Sequence, residues 1–313
     1  MKAHAMILCC GEALIDMIPT ATTQGQTAFV PHSGGSVFNT AIALGRLNVP
    51  TGFLSGVSTD TFGQQLCADL AASNVSSEHL IRSDKLTTLA IVHLKDGSAT
   101  YSFYDDNSAG RMISPKELPQ LSSDVQALYF GGISLAAEPA ADTYASLLAR
   151  EGQNRLVMLD PNIRPDFIKD EARYRDRLTA MFKHTDIVKT SDEDLDWLIP
   201  DQPDLDTQVA ALLSKGPKVV IVTKGAEGAT AFTRHGKTSV PAPSVDVCDT
   251  VGAGDTFNAG FLAGLADLGS LTPDEDRLTS QDCLVPALAF GAAVAAHTVS
   301  RAGANPPWRH EMS

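Results

Sequence analysis

The chain has 313 residues, 43% of them hydrophobic, enough for a sizeable core, and 37 acidic against 24 basic residues give a net charge of −13 and a pI near 4.9. That balance disfavours nucleic acid and anionic membrane as partners, because both are met by basic patches. Five cysteines without a Cys-x-x-Cys spacing argue against zinc and for buried free thiols in a reducing, cytoplasmic compartment, and the apolar run 6–10, ended by Gly11-Glu12, is too short for a signal peptide.

Residues 6–10 predict a buried strand. In 14–18 a single carboxylate, Asp16, interrupts an apolar segment, so it stands either on a strand's solvent face or against a ligand. Residues 20–32 are polar without a strong pattern. Gly34-Gly35 opens a helix of small residues reaching about Asn48, whose apolar positions Val37, Ala41 and Leu44, beside Phe38 and Ile42, predict burial. Asn39 is the polar exception: a buried amide needs partners, so it either satisfies backbone groups or faces a ligand. The diglycine lets a substrate come close to the backbone.

Residues 52–57 predict another strand and 62–70 a helix. The runs 87–94 and 99–104 alternate around Asp96-Gly97-Ser98, a hairpin signal that puts Tyr101 and Phe103 on one face and Ser102 and Tyr104 on the other. From about residue 113, strand-length runs at 127–130, 156–159, 187–188 and 218–222 alternate with helical patterns near 139–150, 171–183, 192–198 and 207–214. Such alternation implies an α/β fold, with a parallel sheet covered by helices on both faces and ligands at the carboxyl ends of its strands. The hairpin breaks that alternation and predicts a separate small sheet. Two helices, 255–268 and 286–300, close the chain after a loop at 270–283. No apolar segment of about 18 residues is present to span a membrane.

The informative motifs follow strands or start helices. Asp249-Thr250-Val251-Gly252-Ala253-Gly254-Asp255 leads into a helix with Phe257, Phe261 and Leu265 on one face and Gly260 and Gly264 as a smooth stripe. Gly252, Ala253 and Gly254 therefore stand at a helix N-terminus, where unpaired amides favour an anion. Asp255 beside them is either a favourable first-turn acid or the group that takes a proton while the cradle holds charge on a transferring phosphoryl group. Asp160-Pro161-Asn162-Ile163-Arg164 is either a plain strand-end turn or a ligand contact through Arg164. Ser191 reads as an N-cap, with Asp192, Glu193 and Asp194 in the first turn. Thr223-Lys224-Gly225-Ala226-Glu227-Gly228, with two glycines after a strand, reads as a turn. Neither a P-loop nor a Gly-x-Gly-x-x-Gly unit occurs, which disfavours NAD and leaves any ATP without a P-loop lysine.

Two of these runs resemble the signatures of the PfkB/ribokinase-like carbohydrate kinases. Residues 249–255 meet every fixed position of Asp-Thr-x-Gly-Ala-Gly-Asp, and Gly34-Gly35-Ser36-Val37-Phe38-Asn39-Thr40-Ala41 is similar to the N-terminal signature. The likeness extends from Gly11 to about Gly303. It implies one ribokinase-like domain over 1–313, a parallel-sheet sandwich covered by helices on both faces, with a small β-lid from about 14–32 and 87–105. It also implies ATP-dependent phosphorylation of a sugar hydroxyl with Mg2+. Asp255 would be general base, and Gly252, Ala253 and Gly254 would stabilise the phosphoryl group. Asp16, Gly34, Gly35, Asn39, Phe103 and Arg164 would hold the sugar, and Thr223, Gly225, Gly228, Ala289 and Ala293 the nucleotide.

Ser191-x-x-Asp194 departs from the family's Asn-x-x-Glu, which leaves Asp194 a water-mediated metal contact. Asp249 matches the family's ligand for a monovalent cation, K+, or equally caps the turn. The family's lid also suggests a homodimer. Within the family the chain is most similar to fructokinases, at 102–106, 131–135 and 160–164, with 2-keto-3-deoxygluconate kinase and ribokinase as rivals. No basic cluster stands near Gly34-Gly35, which favours a neutral sugar. A sugar or nucleotide sensor that lost turnover is the alternative of another class, and the intact Asp255 and Gly-Ala-Gly run count against it.

Overall fold

Short runs rich in β-branched and aliphatic residues, each closed by a turn, become the strands of a large central sheet. A computed structural model describes residues 5–95 and 98–312. Its strands begin with β1 (Met6–Cys10), β2 (Leu14–Ala21), β3 (Thr27–Gly34), β4 (Thr51–Leu54), β5 (Gly56–Ser58), β6 (Val75–Ser76), β7 (Ile81–Ser83), β8 (Leu89–Lys95) and β9 (Ser98–Tyr104). They continue with β10 (Val125–Gly131), β11 (Leu156–Asp160), β12 (Ile187–Ser191), β13 (Val219–Thr223), β14 (Ala229–Thr233) and β15 (Gly236–Val240). The helices are α1 (Ser36–Arg46), α2 (Thr61–Ala72), α3 (Ala140–Glu151), α4 (Glu171–Phe182), α5 (Asp192–Leu198), α6 (Leu205–Leu213), α7 (Ala253–Asp267), α8 (Glu275–Leu278) and α9 (Gln281–Val299).

The central sheet runs β15-β14-β13-β12-β11-β10-β1-β4-β6. It is parallel from β13 to β6, and its inner strands are apolar on both faces because helices cover both. One face packs against α1, α2, α7 and α9, the other against α3, α4, α5 and α6. Beyond β13 the sheet turns antiparallel, through β14 and β15, which the strand–helix alternation did not anticipate. Only the turn at Gly225 to Gly228 separates β13 from β14, too short for a parallel crossover.

The second sheet, ordered β3-β2-β8-β9, is the small sheet that the hairpin announced. The turn of that hairpin, Asp96 and Gly97, lies outside the described residues. Most of β3 falls in 20–32, where exposure on both sides left no alternation to read. The predicted strand 52–57 is in fact two, with β4 in the main sheet and β5 paired to β7. Pro286 does not start the last helix but lies inside α9, which begins at Gln281, and α8 occupies part of the expected loop. Of the cysteines expected to be buried, Cys9, Cys10 and Cys283 are, whereas Cys67 is half-buried and Cys248 exposed.

Helices α7 and α9 approach closely, as the glycine stripe predicts. A Cβ on Gly260 would lie 2.8 Å from Gly291 Cα, and one on Gly264 2.8 Å from Ala287 Cα. Among the described residues α9 is long and apolar enough by length and composition to cross a membrane, but half of that stretch is buried inside the fold. Packing against α9 on one side and α1 on the other sets the direction of α7 and aims its first turn into the space between the two sheets.

Candidate active site

A cleft of about 820 Å³ opens where the start of α7, the start of α1, the ends of β11 and β12, and the small sheet meet. Gly252 has φ of 78°, in the left-handed region that favours glycine, and this turn points the first residues of α7 at the cleft. The amides of a first helical turn have no acceptor within their own helix; Ala253 N donates back to the Thr250 carbonyl at 3.2 Å, and among the described residues the amides of Gly252 and Gly254 are left to face the cleft. Asp255 is 8% exposed and still lines the cleft. Burial raises its pKa to about 7; the Asn39 amide and the Lys189 ammonium oppose that shift, while Asp160 and Glu12 add to it.

Asn39 lines the cleft, and its Nδ2 donates to Asp255 Oδ2 at 2.9 Å, which orients the carboxylate. One residue on, Thr40 Oγ1 donates to the Asp255 carbonyl at 3.1 Å and to the Ser36 carbonyl at 3.0 Å, locking α1 to α7.

Asp16 lines the opposite wall, and burial raises its pKa to about 6. In the β2–β3 ladder Leu14 pairs with Gly34, and a Cβ on Gly34 would overlap Asp16 Oδ2. The first glycine therefore makes room for a carboxylate of the same chain. The second, Gly35, has φ of 107° and lies against the Glu12 carbonyl. Glu12 Oε1 accepts from Ser36 N at 3.0 Å and Ser36 Oγ at 2.6 Å, and its Oε2 accepts from Ser134 N at 3.2 Å, so this carboxylate caps α1 and ties it to the turn after β10.

The register puts Asp16, Ala90, Phe103 and Tyr101 on one face of the small sheet, as the alternation of the last strand predicts. Phe103 reaches across the cleft to Phe167, ring centroids 4.2 Å apart and edge-on, with Tyr101 stacked behind it at 5.9 Å. Arg164 lines the same rim, its Nη1 donating to the Ile163 carbonyl at 2.9 Å. The floor is a buried polar chain. Asp160 Oδ2 accepts from Lys189 Nζ at 3.0 Å and Asn258 Nδ2 at 2.8 Å, and Asn258 Nδ2 also donates to Tyr129 OH at 2.9 Å.

Of the sugar-side and catalytic residues predicted, Asp16, Gly35, Asn39, Phe103, Arg164, Gly252, Ala253, Gly254 and Asp255 line this cleft, and Gly34 supports it from behind. Thr223, Gly225, Gly228, Ala289 and Ala293 do not line it. Gly225 and Gly228 have positive φ, and a Cβ on Gly228 would overlap the Val240 carbonyl, so this turn has a structural reason for its second glycine. Ala289 is exposed and Ala293 half-buried on the outer side of α9. Val245 and Val247 are exposed on the segment that joins β15 to α7.

Neither predicted metal residue lines the cleft. Ser191 Oγ accepts from Asp194 N at 3.0 Å and so caps α5, while burial and then the nearby Asp160 raise the Asp194 pKa. Asp249 accepts from Val251 N at 3.0 Å and Gly303 N at 2.9 Å, tying the loop before α7 to the tail after α9. Among the described residues no three His, Cys, Asp or Glu side chains stand together to hold a metal. Any Mg2+ here would need phosphate oxygens and water to complete its shell, which is how that ion is ordinarily held in phosphoryl-transfer sites.

Sequence reasoning missed Glu12, Lys189, Asn258 and Phe167 as site residues, and assigned no role to Asp160. Lys189 carried a signal: a charge inside an apolar run that must be buried in a parallel strand. Asn258 carried another, one helical turn beyond Asp255. Phe167 had none.

A model of the pfkB family carbohydrate kinases matches residues 4–311. A fructokinase of Rhizobium leguminosarum bv. trifolii is 52% identical over 260 residues, which is 83% of this chain and 79% of that protein. One from Klebsiella pneumoniae is 33% identical over 274 residues, 84% of this chain and 87% of that one. The crystal structure of fructokinase with bound ATP from Xylella fastidiosa has a TM-score of 0.89 at 29% identity, covering 99% of this chain and 97% of that one. The architecture is accordingly the ribokinase-like α/β fold.

The buried Asp255 predicts a pH-dependent stability. Its folded-state pKa lies above that of an unfolded aspartate, so the folded protein loses stability as pH rises from about 4 to about 7 and the buried group ionises. Asp255→Asn removes that penalty and keeps an acceptor for Asn39. Its gain in unfolding free energy should be small at pH 4, grow to as much as about 4 kcal/mol by pH 7.5, and level off, at about 1.4 kcal/mol per pH unit. Urea melts of both proteins at pH 4, 5.5 and 7.5 measure this; a gain that is the same at every pH contradicts it.

Proposed function

The chain belongs to the pfkB family of carbohydrate kinases, phosphotransferases with an alcohol acceptor, and from that premise we propose that it transfers the γ-phosphoryl group of ATP to a hydroxyl of D-fructose. The observation that carries this reading is Asp255: a buried carboxylate with a pKa near 7, next to the open amides of α7. At neutral pH it is ionised enough to accept a proton and basic enough to want one. The sugar would bind between Asp16, Asn39 and Arg164, with Phe103 and Phe167 against its apolar face. Asp255 takes the hydroxyl proton as the oxygen attacks, and the amides of 252–254 stabilise charge on the phosphoryl oxygens.

The nucleotide's base would lie toward the turn at Thr223, Gly225 and Gly228 and the outer face of α9 at Ala289 and Ala293. Magnesium, bound with the phosphates, supplies charge neutralisation; Asp194 is the carboxylate proposed to reach it through water. Asp249 is proposed to face a potassium ion behind the cradle, although its hydrogen bonds to Val251 and Gly303 also account for it as a loop tie.

Charge in the cleft favours fructose over anionic acceptors. Only Arg111, Arg164, Lys169 and Lys189 are basic, against the carboxylates of Glu12, Asp16, Asp105, Asp106, Glu138, Asp160, Asp166 and Asp255. Arg111 is already engaged by Asp105, Asp106 and the Glu138 carbonyl, and Lys189 by Asp160. Fructose 6-phosphate and 2-keto-3-deoxygluconate would each bring a further negative charge into this field. Ribose is neutral and is disfavoured only by the likeness to fructokinases. The cleft-side face of the small sheet continues outward as exposed Ile18, Val30 and Tyr101, apolar surface suited to a second copy of the chain.

Asp255→Ala should fold, bind ATP and lose about 10²–10⁴-fold in kcat, and the wild-type kcat should fall as pH drops below the Asp255 pKa; near-normal turnover in the variant removes the base. In a coupled assay at saturating ATP, kcat/KM should be highest for fructose; ribose or 2-keto-3-deoxygluconate exceeding it about tenfold refutes the acceptor and leaves the kinase. Running that assay in potassium and in tetramethylammonium salts tests the cation, which equal rates would eliminate. For the dimer, sedimentation equilibrium should give twice the chain mass for wild type and the chain mass for Ile18→Lys; a monomeric wild type refutes it.

A further inference from the structure

The buried ammonium of Lys189 is not explained by packing alone. Lys189 is 6% exposed, in a strand whose neighbours Ile187 and Val188 are fully buried. An ammonium has three N–H donors, and a buried one is stable only when they are used. Among the described residues its hydrogen-bonding partner is Asp160, at 3.0 Å, while the side chain also lines the cleft. Asp160 is held from other directions too, by Asn258 Nδ2 at 2.8 Å and Asn162 N at 3.2 Å. The carboxylate is therefore a fixed post that holds the ammonium in place, and the remaining donors are free to face the cleft.

The position of that ammonium relative to α7 is what makes it informative. A Cβ built on Gly254 would lie 3.1 Å from Lys189 Nζ and, apart from its chain neighbours and its own helix backbone, would meet no other heavy atom within 4 Å. No side chain at this residue of the cradle separates the charge from the open amides, so the positive end of the helix and a fixed cation converge on one spot.

We propose that Lys189 is a further catalytic residue, donating hydrogen bonds to the oxygens of the transferring phosphoryl group, with Asp160 and Asn258 as its positioning residues. This rests on the phosphoryl-transfer reading above. In the step, the sugar oxygen forms a bond to the γ-phosphorus and its proton passes to Asp255. The bond from that phosphorus to the β–γ bridging oxygen breaks, and the electron pair leaves on ADP. Lys189 keeps all its protons and offsets the charge spread over the phosphoryl oxygens, a role a fixed cation performs without reorganising.

Removing Lys189 alone would strand the Asp160 charge, so the decisive protein is the double variant Lys189→Met/Asp160→Asn, which loses both charges together. Asp160→Asn alone keeps the ammonium and, through the amide Oδ1, an acceptor to hold it in place. The double variant should fall about 10²-fold or more in kcat, with KM for fructose and affinity for ADP within about threefold of wild type, while Asp160→Asn stays within about tenfold in kcat. Calorimetric binding of ADP with aluminium fluoride, a mimic of the transferring group, should weaken about as much as kcat in the double variant and little in Asp160→Asn. A double variant that keeps wild-type kcat and aluminium fluoride affinity overturns the proposal, making Lys189 only a counter-ion. An Asp160→Asn protein as impaired as the double also overturns it, assigning the loss to Asp160. If the wild type phosphorylates no sugar the acceptor reading fails, and the aluminium fluoride measurement still decides for or against Lys189.

Discussion

The amides at the start of α7 must face the cleft while a carboxylate stays buried beside them, and the surrounding elements are arranged to hold that pair. An aspartate next to an anion-binding helix end is favoured by the helix dipole but disfavoured by burial, and here burial dominates: its pKa rises to about 7. Three contacts keep the helix end in place. Thr40 joins it to α1, the glycine stripe lets α9 press against its flank, and Asp249 ties the preceding loop to Gly303. The left-handed Gly252 then makes the turn that aims the first amides.

Glycines and carboxylates trade places around the cleft. Gly34 leaves room for Asp16, and Gly132, with φ of 67°, leaves room for Glu12, because a Cβ at either position would overlap the carboxylate. Glu12 spends its oxygens on Ser36 and Ser134, so it holds the frame, whereas Asp16 lines the cleft with its Oδ2 against Gly34. Acidic groups dominate the lining, and two of its four basic residues, Arg111 and Lys189, are already paired, a field that suits a neutral polyol and a nucleotide whose charge is met by amides and cations. Phe103 against Phe167 joins the small sheet to the main body across the opening and provides apolar contact next to the polar wall.

The parallel sheet, its covering helices and the small sheet were readable from periodicity, because a strand buried on both faces has to be a short apolar run and a half-exposed one has to alternate. Where those rules do not apply the reading failed: β3 is exposed on both sides, and β14 and β15 follow a turn rather than a helix. Motifs contiguous in the chain, such as Gly252 to Asp255, could be placed because a helix start is a local event. The resemblance to carbohydrate kinases then assigned Asp16, Asn39 and Arg164, which composition and spacing alone left open between ligand contact and ordinary structure.

By itself, then, the sequence determined most strands and helices of the parallel layer and the hairpin of the small sheet, that a helix begins at the cradle, and that an acid follows it. Only the tertiary structure decided what that acid touches. Asn39 and Asp255 are 216 residues apart, Asp160 and Lys189 are 29 apart, Asn258 lies 98 from Asp160, and Ser134 lies 122 from Glu12. Hydrogen bonds of about 3 Å between such residues depend on strand order and helix packing, which no local pattern encodes. The same holds for the pKa of Asp255: burial sets it, and burial belongs to the assembled layers rather than to any stretch of chain.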